Sequence, residues 1–97
     1  HRGVPVPVGI YFSPPSMDEA TYKSILAKVE ASGPWPPAGM LHHSCFTEGP
    51  KLAVYEIWES QEAMEKFGEE RLMPALKELN FDAGEPAIVS IINMVQA

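Results

Sequence analysis

Two of the chain's three histidines and its only cysteine stand together in "LHHSCF", residues 41–46. Residues of these types can ligate a metal, form a thiolate nucleophile or move a proton. Read as a strand, the run sends His42 and His43 to opposite faces, so they do not grip one ion. Further ligands of the right type are few, and no metal site is read here. His43 and Cys45, spaced i, i+2, share a face with Cα atoms about 6–7 Å apart. That permits a Cys–His pair. A lone cysteine among apolar residues is ordinarily a small packed hydrophobe, and Cys45 is read as packing.

Proton transfer is the remaining chemistry. In "LAVYEIW", residues 52–58, alternation places Val54, Glu56 and Trp58 on one face. A carboxylate set mid-strand between apolar residues needs a partner if it is buried. His43, across a hairpin, is the candidate. The expected catalytic residues are therefore His43 as base or acid and Glu56, which fixes its ring and its charge. Tyr11, Trp58 and Asn93 are the expected substrate-binding residues: a hydroxyl, an aromatic wall, and a polar break in an apolar final run. The plainer alternatives are an ordinary buried hydrogen bond for the pair, structural roles for the tyrosines, and an interface position for Asn93. The chain contains no phosphate-cradling glycine loop, dinucleotide fingerprint or serine elbow, and no cofactor is expected.

The elements that must position these groups follow from periodicity. Residues 4–12, "VPVPVGIYF", alternate as a strand with Val4, Val6, Val8, Ile10 and Phe12 on one side. Pro5 and Pro7 lack donors, so dense pairing is expected to start near Val8. Ser16 and Glu19 match a capping box, and an apolar stripe through Met17, Ala20, Tyr22, Ile25, Leu26 and Val29 predicts a helix over 17–31, stopped by Gly33-Pro34. Trp35, in the rigid "GPWPPAG" link, is expected to seal a core end or an interface. Strands are predicted over 40–46 and 52–58, joined as a hairpin through "TEGPK". Ser60 caps a second helix whose stripe is interrupted near Gly68–Met73, ahead of Pro74. Residues 87–95, "AIVSIINMV", predict a final strand buried on both faces.

The order β-α-β-β-α-β predicts an α+β fold, a ferredoxin-like split sandwich. Its uncovered sheet face is apolar, so a partner sheet is expected and with it a homodimer. At 97 residues the chain is read as a single domain, residues 1–97, with residues 1–3 a tag remnant or trimmed end. Thirteen acidic against seven basic residues leave a formal charge of −6, with no basic run to neutralise phosphates. Nucleic acid and anionic membrane surfaces are thus unfavourable partners. One cysteine forms no internal disulfide, no apolar run reaches 18 residues, and no signal-peptide pattern opens the chain; the setting is read as cytoplasmic.

The segments "PPAGMLHHSCFTEG" and "LAVYEIWESQEAMEKFGEERLMPALKE", with the apolar final strand, resemble the dimeric α/β-barrel superfamily, in its antibiotic-biosynthesis-monooxygenase-like branch. The positions that carry the resemblance are His43, Glu56, Trp58-Glu59-Ser60 and the "RLMPAL" run at 71–76. It implies two sheets enclosing a barrel-like interior in a homodimer, with small-molecule pockets between sheet and helices. Related activities include cofactor-free oxygenases, haem-degrading enzymes, isomerases and cyclases. No histidine follows Trp58, which departs from the haem-degrading pattern. The expected function is a small-molecule enzyme of monooxygenase-like, isomerase or cyclase type acting on an apolar or aromatic compound. The alternatives are a non-catalytic ligand-binding or stress-associated dimer, and a structural dimer with a filled interior.

Overall fold

The computed structural model describes residues 6–97. Val4 and Pro5, in the predicted first strand, and residues 1–3 lie outside them. The elements are β1 (Val8–Phe12), α1 (Glu19–Ala31), β2 (Met40–Glu48), β3 (Lys51–Trp58), α2 (Gln61–Phe67), a π-helical turn (Gly68–Leu72), α3 (Met73–Glu78) and β4 (Ala87–Ser90).

The strands lie in the order β2-β3-β1-β4, every neighbouring pair antiparallel. Alternation along β1 turns Val8 and Ile10 toward the helices, where they meet Trp58, Val29, Met64, Phe67 and Ala75 in one core. Gly9 faces the other way. A side chain there would run into Tyr55 and Val89, so glycine allows the strands their close approach.

The expectation of a ferredoxin-like sandwich built as an α/β barrel is corrected. The fold is α+β with an open four-stranded antiparallel sheet, and β2 and β4 are its two separate edges. The outer strands β2 and β4 do not pair with each other, so the sheet is not closed. The final strand also differs from expectation. It ends at Ser90 rather than 95, and all four of its residues are exposed. An edge strand has a single neighbour, here β1, so a single chain leaves Ile88, Val89, Ile92 and Val95 in solvent.

Local chemistry explains the remaining boundaries. The N-cap of α1 is Asp18, not Ser16: its carboxylate accepts from the Thr21 amide at 2.8 Å, which leaves Met17 buried just ahead of the helix. Ser60 caps α2 as predicted, accepting from the Ala63 amide. The interruption expected before Pro74 is the π-helical turn, which re-phases the rod so that proline falls in the first turn of α3. From that turn Arg71 donates to the Val29 carbonyl (2.8 Å) and to Ser32 Oγ (2.9 Å), tying it to the end of α1. The β2–β3 turn is tighter than expected, with only Gly49 and Pro50 between strands and Gly49 at φ 64°. Both strands are correspondingly longer.

Candidate functional site

The hairpin register, unbroken from the Glu48–Lys51 pair at the turn, places His43 directly opposite Glu56, and the irregularity between Met40 and His42 lies beyond that pair. His43 Nδ1 lies 2.8 Å from Glu56 Oε2. Glu56 is 7% exposed, the one buried charged residue among those described. Its second oxygen accepts from the indole N–H of Trp58 at 3.0 Å. Residues 56 and 58 share a strand face, so the sequence spacing itself brings indole and carboxylate together. Across the cavity, the Tyr22 hydroxyl of α1 lies 2.7 Å from His43 Nε2. The edge of Trp35 packs on the imidazole, ring centres 5.4 Å apart. Among the described residues no buried side-chain polar atom is left without a partner.

This arrangement fixes the tautomer. An ionised carboxylate only accepts, so Nδ1 carries the proton and donates to Glu56. When the ring is neutral its single lone pair is then at Nε2, and the Tyr22 hydroxyl donates to it. Burial, reinforced by Cys45, Glu56 and Glu30 nearby, raises the Tyr22 pKa above its ordinary 10.0, so at neutral pH it remains a phenol. Burial and Glu19 push the Cys45 thiol up as well, which keeps it from being a thiolate.

Tyr22, His43 and Glu56 line a cavity of about 70 Å³ between sheet and helices. One water needs roughly 10–15 Å³ by the same kind of measure, so the space holds several waters or a small ring. Its other walls are apolar, from Phe12 and Val54 on the sheet to Ile25, Trp35 and Phe67 on the helical side. Among the described residues no lysine or arginine lines it. A pair able to hold a proton, set among apolar walls, can accept a proton from a weakly acidic group.

The other expected site residues lie elsewhere. Trp58 does not line the cavity. It is fully buried beneath it and reaches the site through Glu56. Tyr11 pairs with Tyr55 on the opposite sheet face, where its hydroxyl donates to Glu48. Its neighbour Phe12 is the β1 residue that faces the cavity. Asn93 follows β4 and is exposed. His42 also turns to the far face, where it approaches the Tyr55 ring. Sequence reasoning missed Tyr22 as a site residue, placing it only in the apolar stripe of α1. The available signal was that a phenol on a core-facing stripe must find a polar partner on the sheet below. Among the described residues no group of three or more potential metal ligands is assembled.

No family model matches the chain, and no curated protein matches it. Solved structures do. A cofactor-independent oxygenase, SnoaB from Streptomyces nogalater, superposes with a TM-score of 0.60 at 14% identity, over 95% of this chain and 96% of its own. A protein of unknown function from Nitrosomonas europaea gives 0.61 at 14% identity, covering 98% of each chain. PA3566 from Pseudomonas aeruginosa gives 0.58 at 17% identity, over 98% and 99%. At such identities the likeness establishes the fold alone. The class defined here is thus an antiparallel α+β fold shared with cofactor-independent oxygenases, carrying a buried histidine–glutamate pair in an apolar pocket.

Proposed function

We propose that this chain is a small-molecule enzyme that removes a proton from an apolar or aromatic compound. His43 is the proton acceptor, and Glu56 holds its ring and balances the charge of the imidazolium. The observation that carries this reading is the 2.8 Å His43–Glu56 contact at the wall of a cavity that is otherwise apolar. Monooxygenase-like, isomerase and cyclase reactions can all begin with that proton transfer. The structural likeness to a cofactor-independent oxygenase supports the first: a stabilised carbanion can pass an electron to oxygen without a bound redox group. A second copy of the chain is proposed to cover the exposed apolar edge at Ile88, Val89, Ile92 and Val95.

The test is a thermal-shift screen of small aromatic and quinone-like compounds, since native-state binding raises apparent stability. Turnover of the compounds that bind is then followed in His43→Ala. Loss of a positioned base lowers turnover by about 10²–10⁴-fold. Unchanged turnover in His43→Ala contradicts the proposal. One observation favours a second reading, a non-catalytic binding protein: Nε2 of His43 is already occupied by Tyr22. That reading expects tight binding with no conversion of any compound in the wild-type protein.

A further inference from the structure

Resting on the proton-transfer reading, we propose that Tyr22 is a further catalytic residue: its hydroxyl, rather than the imidazole, meets the substrate, which is a neutral molecule carrying an O–H group on a small apolar ring. The argument begins with hydrogen-bond capacity. With Nδ1–H donated to Glu56, the neutral ring of His43 has one acceptor site. Tyr22 fills it at 2.7 Å. A ligand in the cavity therefore reaches that nitrogen only by displacing a formed hydrogen bond. The phenol oxygen keeps a lone pair after donating its proton, and Tyr22 lines the same cavity. A ligand hydroxyl can donate there without breaking any existing bond.

The proton path follows. The substrate O–H gives its proton to the Tyr22 oxygen as the Tyr22 proton passes to His43 Nε2. One O–H bond breaks in the substrate and one N–H bond forms on the imidazole, while tyrosine ends as it began. The products are a substrate anion and an imidazolium, the latter paired with Glu56. No electron moves and no co-reactant is needed.

Charge selects the ligand class. Among the described residues no lysine or arginine lines the cavity, and its one acidic side chain is Glu56. A substrate that arrives as an anion, such as a carboxylate or a phosphate, meets a negative group in apolar surroundings with no counter-ion. A neutral hydroxylated ring enters without that cost, and its negative charge appears only as the imidazolium forms.

The test uses two probes of similar shape, 4-fluorophenol and 4-fluorotoluene, with binding followed by ¹⁹F NMR in wild type and Tyr22→Phe. The substitution removes one oxygen and keeps the ring. Loss of one ligand hydrogen bond weakens 4-fluorophenol about tenfold, while 4-fluorotoluene changes less than about twofold, which also reports an intact pocket. If the imidazole is the true contact, the substitution frees Nε2 and 4-fluorophenol binds equally or more tightly. That outcome overturns the assignment of Tyr22 and leaves the pair's proposed role standing. A wild-type measurement guards against misfolding of the variant: on adding 4-fluorophenol, the ¹⁵N signal of His43 Nε2 stays in its hydrogen-bonded position. A shift showing displacement of Tyr22 overturns the proposal. Failure of both probes to bind wild type overturns the pocket reading, and this assignment with it.

Discussion

At the scale of single residues, the site is a chain of four groups, indole to carboxylate to imidazole to phenol. Each has a defined donor or acceptor role, so each substitution has a defined consequence. Trp58→Phe keeps an aromatic body but leaves Glu56 Oε1 without its donor. An interior acceptor stripped of its partner costs about 1–3 kcal/mol, and more when charged. Urea denaturation is expected to show a loss of at least that size; a loss below about 0.5 kcal/mol contradicts a structural role for the indole N–H. Tyr22 should ionise above its ordinary 10.0, because burial raises it and Cys45, Glu56 and Glu30 add to the rise. The absorbance titration of wild type minus that of Tyr22→Phe should have its midpoint above 10.0; a midpoint at or below it contradicts the assignment. Much of this chain is legible in the sequence. Strand alternation puts Glu56 and Trp58 on one face, and a hairpin puts His43 across from them. Tyr22 is not legible in this way. Which helical turn meets which strand rung is decided by packing between distant segments, and a stripe of apolar residues does not encode it.

At the scale of elements, two ties hold the site's supports in place. Arg71 stacks over the Phe67 ring at 5.2 Å while bonding the end of α1, so one side chain from the π-helical turn links α1 to α2. Arg71→Met keeps part of the stem's packing and removes the charge-assisted bonds, with an expected cost of about 1–2 kcal/mol in chemical denaturation. The second tie is at the β2–β3 turn. Lys51 donates to Glu48 at 2.7 Å and to Ser13 at 2.5 Å, and Ser13 and Tyr11 donate to the same carboxylate. These partners, Lys51 foremost, hold Glu48 at about 2, below its ordinary 4.5. A carboxyl depressed by folding stabilises the folded state above its unfolded pKa. That contribution is present above about pH 4.5 and fades as pH falls toward 2. Melting temperature should drop across this window in wild type and less in Glu48→Gln. Salt should shrink the difference, because the group is at the surface. An equal drop in both proteins contradicts the tie. The break before Pro74 is legible because proline's missing donor acts locally. The cap at Asp18 is less so, since Ser16 and Asp18 offer the helix equivalent oxygens two residues apart.

At the scale of the whole molecule, the unsettled surface is the sheet's far face and its β4 edge. Ile92 is 94% exposed and Val95 84%, in an isolated chain of 10.7 kDa. Cover by a second copy predicts about twice that mass by light scattering, and Ile92→Lys should shift the protein toward the monomer. A monomer at micromolar concentration contradicts the proposed association. This is also where reading from sequence overreaches. The apolar run at 87–95 predicts a strand buried on both faces, whereas β4 is four exposed residues, and periodicity says nothing about what could cover them. The four strands form an open sheet, not a closed barrel, and a short edge strand in place of a buried one.

The central claim is that a carboxylate-held imidazole faces an apolar pocket, ready to take a proton. Long-range ¹H–¹⁵N correlation spectra of the His43 ring at neutral pH test it most directly. The account predicts a neutral ring protonated on Nδ1, and a mixture of tautomers once Glu56 is replaced by Gln. A ring protonated on Nε2 in the wild-type protein, or a Glu56→Gln spectrum identical to it, contradicts the account.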